Sequence, residues 1–358
     1  MTAVLSHRTK DGQAAPGAAP QSAPQRQRPR WHWRDWPVVV KLATVLLVPT
    51  IVALVAGVLR IVDQAGAAPG YTRISQIAGV QQRLADLIGA LARERGLATV
   101  FVVTGRAGDR RGLDGQFRAV DGDSRVLAGV SAAVPGLEFT RPPLAALGAL
   151  APLRASVTTG FSPAEVVVTE YSAVIDPLID LDAALTRQLD DAAVTSHAAA
   201  AHDLLAAREQ VSRQHAIVSA ALYINRLGPA QIDDVRSAGV RLATDRDAVK
   251  ATLPPAERDD ARTGADSEAE RSRQRVLALV LSRGSAGQPL NTSPADWDRR
   301  SALVVDNIAA VEKELRSRID QTAQRLLEQV RTAAGLNSVI LFFALTIGVL
   351  IGILVTRA

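Results

Sequence analysis

Two helical segments carry arginines in patterns that suit oxyanion chemistry. The first is Leu91-Ala92-Arg93-Glu94-Arg95-Gly96-Leu97-Ala98-Thr99-Val100, the second Ala207-Arg208-Glu209-Gln210-Val211-Ser212-Arg213-Gln214-His215-Ala216. A guanidinium is planar, permanently charged and offers paired donors, so it matches the edge of a planar anion. Gly96 directly follows Arg95, and a glycine inside an apolar helix needs a reason such as close approach of a ligand or of backbone. Thr99, one turn after Arg95, adds a hydroxyl to that face or is a plain helix-face residue. From the residues alone, arginines in a helical bundle are more often surface groups or salt-bridge partners, so both readings stay open.

Other chemistries are absent from the pattern. The chain has no cysteine, which excludes disulfides, thiolate metal sites and cysteine nucleophiles. His197, His202 and His215 fall in one helical region, but His197 and His202 are five apart and His202 and His215 thirteen apart, so neither pair shares a face and no metal site is expected. Neither a phosphate-cradling glycine loop nor a catalytic signature is visible. We expect no enzyme activity and no cofactor.

The elements that must hold these arginines are helices. Of 358 residues only 4% are aromatic, while Ala, Leu, Arg, Glu and Gln abound. The expected fold class is all-α. The net charge of +5 is concentrated in residues 1–36, where Arg8, Lys10, Arg26, Arg28, Arg30 and Arg34 face only Asp11 and Asp35. No nucleic-acid motif accompanies this tail, so it reads as a disordered topology signal and not as a nucleic-acid site.

Val38–Leu59 is an apolar run of 22 residues with one charge, Lys41, near its start. At 1.5 Å per residue it covers about 33 Å, enough for a bilayer core. Trp31, Trp33 and Trp36 precede it as an interfacial belt would. Leu336–Val355 is a second, uncharged run. These predict transmembrane helices over 37–60 and 336–355, a cytoplasmic N-terminus, and a sensor domain outside the cell over 72–330. The sequence ends at Ala358 without an output module, which raises the expectation of a longer sensor kinase whose input half this is.

Between the spans, periodic apolar residues predict a helix from about Thr72, broken at Thr104–Gly112. Others are expected over about 113–133, 144–158, 164–190, 193–227, 230–250 and 270–282. Ser162-Pro163-Ala164-Glu165 and Ser293-Pro294-Ala295-Asp296 both read as helix starts. Pro177 is expected to kink or divide its helix. Pro294–Val355 reads as one continuous helix through Gly335.

The Glu94-Arg95-Gly96-Leu97 element after an amphipathic helix resembles the first signature of the nitrate- and nitrite-sensing (NIT) family. The segment centred on Glu209 and Arg213 is similar to its second motif. The resemblance covers about residues 72–330. It implies two packed four-helix bundles flanked by membrane helices, with nitrate or nitrite held between helices by arginines. Arg95 matches the first anion-binding position and Arg213 the second, with Gly96 and Thr99 beside them. The implied partners are the anion, the lipid bilayer, a second copy of the chain, and a cytoplasmic kinase or response partner. The rival expectation is a membrane-anchored helical interaction module with purely structural arginines.

Overall fold

A computed structural model describes residues 38–258 and 267–357 of the chain. The basic tail 1–36 and most of the charged stretch 256–270 lie outside the described residues. The described elements are helical throughout: α1 Val38–Val103, α2 Arg110–Ala133, α3 Arg141–Ala145, α4 Leu150–Thr159, α5 Ala164–Thr186, α6 Ala192–Tyr223, α7 Pro229–Thr252, α8 Glu268–Ser285 and α9 Pro294–Arg357. Segments 38–55 and 342–357 group as one unit, and Ala56–Leu341 as another.

Capping chemistry explains most boundaries. Asp109 accepts the Gly112 N–H at the start of α2 (2.9 Å), and Ser267 accepts that of Glu270 in α8 (3.3 Å). Ser293 caps α9 as expected, accepting from the Asp296 N–H at 3.4 Å. Ser162 does not repeat the pattern. Pro163 itself is the N-cap of α5, extended and without a side-chain cap bond. The side chain of Glu165 instead accepts from Gln231 of α7 at 2.9 Å, so a contact between helices replaces the local box.

Three expectations are corrected. The helix expected from Thr72 is continuous with the segment before it, because α1 runs unbroken through Pro69 and Gly70. Ala65, Ala67 and Ala68 in that stretch are strong helix formers. Of the two outcomes expected at Pro177, division does not occur, since α5 runs through it to Thr186. The expected 144–158 helix is two helices, α3 and α4, joined by a 3-10 turn at Ala146–Ala149. At the end of α1, Gly105 and Arg106 both take positive φ (69° and 64°), and the Arg106 N–H returns to the Phe101 carbonyl at 2.8 Å. This closes the helix as the glycine-bearing stretch suggests.

The interior helices pack as two groups. One core joins α1, α2, α4 and α5, through residues such as Leu84, Leu127, Val157 and Leu178, with the start of α6 and with Ile319 of α9. The other is formed by α6, α7, α8 and α9, around Val218, Val280 and Trp297 at one end and Val211, Leu242 and Ile308 at the other. The long helix α6 contributes to both groups.

Helix α9 continues through Gly335. Among the described residues, no helix is long and apolar enough to cross a membrane. Parts of the two apolar runs, including Lys41 and Leu336, have side chains outside the described set.

Where α6 meets α7, Asp245 is pushed up to about 6 by burial and by the nearby Asp203 carboxylate, against His202 and Arg241. An acid whose folded pKa is raised favours the fold at low pH and penalises it once pH rises through that value. Asp245→Asn should therefore stabilise the protein by about 1 kcal/mol above pH 6, after discounting for partial exposure. The gain should vanish towards pH 4. Urea unfolding at pH 4 and 7.5 checks this, and an equal effect at both would contradict it.

Candidate functional site

Arg95 and Glu94 occupy core positions of α1. Leu84, Leu87, Leu91, Ala98 and Phe101 share that face, so both charged side chains are carried inward by the same periodicity that buries the leucines. Both are fully buried, and burial obliges a charge to find a partner.

Each does. The Arg95 guanidinium grips Glu209 of α6 edge to edge, Nη1 to Oε1 at 2.5 Å and Nη2 to Oε2 at 3.1 Å. Its Nη1 also donates to the Ser172 hydroxyl of α5 at 3.0 Å. Of its three nitrogens, the buried Nε has no partner among the described residues. Arg95 thus ties three helices together through one planar group.

Glu94 faces the opposite flank. Arg154 of α4 donates Nε to its Oε1 (2.8 Å) and Nη2 to its Oε2 (2.7 Å), and Tyr171 donates its hydroxyl to Oε1 at 2.7 Å. Arg154 also reaches Asp121 at 2.6 Å and lies over the Phe117 ring. Burial disfavours the Arg154 charge, but its bonds to Glu94 and Asp121 outweigh this and hold its pKa above the ordinary value. Burial, reinforced by Glu94, pushes the Tyr171 hydroxyl well up as well.

Arg213 lies half-buried on α6, at the wall of a crevice of about 20 Å³ shared with Val168, Thr169 and Gln231. That volume holds about one water. Arg95 is not at its wall. The two arginines are nevertheless neighbours of one carboxylate. Burial raises the pKa of Asp176 on α5, and Arg213 and Arg95 both pull it back. Thr99 is buried and donates its hydroxyl to the Arg95 carbonyl of its own helix at 2.7 Å, so that proton is already committed.

Gly96 opens on a different space. A cavity of about 560 Å³ lies between α1, α6 and α9, with Gly96, Glu209, His215 and Asp298 among its walls. A Cβ added at Gly96 would meet nothing within 4 Å. The glycine therefore serves the cavity and not a helix contact. Glu209 stands between the two features, with its carboxylate on Arg95 and its residue in the cavity wall.

A second buried network fastens α9 to this region. Arg208, next to Glu209, pairs through Nε with Glu312 of α9 at 3.2 Å and donates Nη2 to the Ala85 carbonyl of α1 at 2.9 Å. Arg316 of α9 donates Nε to Glu312 (3.2 Å) and Nη1 to Asp182 of α5 (3.3 Å). Asp182 also bonds His202 at 3.0 Å. Each of the three histidines meets a different carboxylate: His197 meets Glu257, His202 meets Asp182, and His215 meets Asp298.

The model of the family described as nitrate and nitrite sensing matches residues 86–320. The chain belongs to the nitrate- and nitrite-sensing family. Both arginine motifs, the Arg95–Glu209 pair and the network on Arg316 lie inside the matched stretch. Among solved structures, the NasR transcription antiterminator is similar in fold. Its TM-score is 0.63 at 16% identity, over 83% of this chain and 83% of that one. No curated protein matches. Arg95, buried and held by Glu209, lies within the matched residues.

Reading the sequence missed Glu209, Ser172 and Arg154 as partners. The signal for the first existed. Glu94 and Arg95 sit in the leucine stripe of α1, and Glu209 falls between the apolar positions Leu205 and Val211. Charged residues on core faces of two helices imply a pair. Ser172 carries no such signal, since it depends on how α5 docks.

Proposed function

We propose that this chain is a membrane-anchored receptor for nitrate or nitrite, in which Arg95 is the anion-recognition group and Glu209 closes the site in the ligand-free state. One observation supports it above the others. A fully buried guanidinium from the family motif already holds a planar oxyanion group edge to edge. Nitrate is planar and monovalent and presents the same edge of two oxygens as a carboxylate. An entering anion takes those donors and releases Glu209 towards the cavity it lines. Arg213 supplies further positive field on the same side of α5.

Release of Glu209 is coupled to α9 by chain adjacency. Arg208 is the next residue, and it grips Glu312. A shift of α6 therefore alters the hold on α9, which leads to the second apolar run. The two apolar runs of the sequence, both helical in backbone, support a two-span arrangement with the sensing domain outside the cell and the N-terminus in the cytoplasm. A cytoplasmic kinase or response partner, with the receptor acting as a homodimer, completes this reading. No enzymatic role is assigned to this chain.

Isothermal calorimetry on the purified full chain should show saturable heat with nitrate at millimolar or lower concentration, and none with Arg95→Ala. Absence of heat in the parent, or equal heat in the variant, would overturn the assignment. A second reading draws on the same salt bridge: Arg95 is already satisfied by Glu209, as in a ligand-independent helical module. That reading requires a melting temperature indifferent to nitrate, whereas a ligand that binds only the folded state raises it.

A further inference from the structure

The 560 Å³ cavity between α1, α6 and α9 is far larger than a four-atom anion needs. Its size falls in the roughly 300–1,000 Å³ range of small-molecule sites. It is kept open by small residues, since Gly96, Ala92, Ala302 and Ala309 line it. At Gly96 a Cβ would meet nothing within 4 Å, so packing against a neighbour does not require the glycine. Gly89 in the same wall differs: a Cβ there would come within 3.1 Å of Arg208 Nη1. A glycine in a helix interior costs about 1 kcal/mol relative to alanine, so Gly96 holds space at a cost to stability.

The charges facing this space are unequal. Arg208 is held by Glu312 and the Ala85 carbonyl, and the exposed Arg93 donates to the Gly89 carbonyl. Glu209 is neutralised by Arg95. Two carboxylates of α9 remain. Asp298 accepts bonds from His215 and Ser219, both at 2.8 Å and both at Oδ1, which leaves Oδ2 open. Burial raises the Asp298 pKa, but those two bonds outweigh it and hold the carboxylate below its ordinary value, hence charged. Asp306, eight residues on, is exposed and makes no hydrogen bond or ion pair among the described residues. Tyr223, one turn beyond Ser219 on α6, brings an aromatic ring to the same wall as Asp298.

We infer that this cavity is a binding site for a small organic ammonium compound with an apolar body, separate from the anion group at Arg95. The ammonium head sits at Asp298 and the Tyr223 ring, a carboxylate and an aromatic face that both favour a cation. The body lies along Val100, Ala302 and Val305. Because Arg208 and Glu209 belong to the same wall, occupancy bears on the two side chains that tie α6 to α1 and α9. The cavity thus gives a sensor of one ion a second, chemically distinct input.

The test uses three probes of one shape on the full chain without nitrate, so its outcome does not depend on Arg95. These are phenethylammonium, 2-phenylethanol and 3-phenylpropionate. Calorimetry should show phenethylammonium binding at least tenfold more tightly than the alcohol, with the carboxylate weakest. Asp298→Asn should remove the preference for the cation, and Gly96→Leu, which puts a bulky side chain into the cavity, should weaken binding of all three. The exposed Asp306→Asn, which breaks no bond, should weaken phenethylammonium alone and guards against a variant that fails to fold. No binding by any probe, a preference for the carboxylate, or unchanged affinity in a folded Gly96→Leu protein would overturn the inference. So would loss of self-association in Gly96→Leu with probe binding intact, since the face would then be a contact between copies.

Discussion

Arg316→Leu should destabilise the protein by about 3–5 kcal/mol, the usual range for removing one partner of a buried ion pair. Arg316 and Asp182 are both nearly inaccessible, with 3% and 0% of their side chains exposed. Burial works against the Asp182 charge, yet Arg316 and the His202 bond outweigh it and hold its pKa below the ordinary carboxylate value. Without Arg316, Asp182 keeps only His202, and Glu312 keeps only Arg208. Burial likewise opposes the His202 charge, but the Asp182 bond wins and its pKa is raised above 6.5. A raised histidine contributes stability that is complete below its unfolded pKa and is lost as pH climbs through the folded one. The parent has Arg316 to hold Asp182 across that window, and the variant does not. The variant should therefore lose stability more steeply than the parent from about pH 6.5 upward. Urea unfolding at pH 6 and 8 measures both effects. A loss below about 1 kcal/mol, or parallel pH profiles, would mean that the helices do not depend on this pair.

That network also shows where sequence reasoning stops. The stripe Leu84–Phe101 makes α1 a core helix and the Ser293 start places α9, and both are readable from spacing of three and four residues. The resemblance of Glu94–Leu97 to a family signature draws attention to Arg95. Pairing across helices is another matter. Arg316 meets Asp182 across 134 residues of chain, and Arg95 meets Glu209 across 114. Such contacts depend on helix rotation and axial offset, which periodicity leaves free. The same gap explains Arg213. Its place in the second motif suggested a partner for Arg95 around one ion. Helix α6 instead turns Glu209 towards Arg95 and leaves Arg213 at the edge of a one-water crevice. Glu209 and Arg213 lie one turn apart on the same side of α6, and it is the carboxylate that meets Arg95. The Thr99 hydroxyl bonds the Arg95 carbonyl, as a threonine in a helix readily does with the carbonyl four residues back. Neither Pro69 in α1 nor Pro177 in α5 ends its helix.

Glu209→Ala should cost about 3–5 kcal/mol on the same physical ground, since it strands the Arg95 guanidinium in the interior with Ser172 as its sole acceptor. Here the loss should be repairable. If the carboxylate stands where nitrate binds, the variant has an empty, positively charged slot of the right edge geometry. Nitrate at a hundred times its dissociation constant should then return about 2.7 kcal/mol. In the parent, nitrate must first displace Glu209, so its stabilising effect there should be smaller. The measurement is the melting temperature of parent and variant against nitrate, with chloride at matched ionic strength to separate shape from screening. The double variant Arg95→Ala with Glu209→Ala should lose the rescue entirely, because no guanidinium remains. Equal shifts with chloride, or a rescue that survives loss of Arg95, would make the salt bridge a structural clamp. A larger nitrate response in the weakened variant than in the parent is an outcome that only competition between carboxylate and anion for one guanidinium produces.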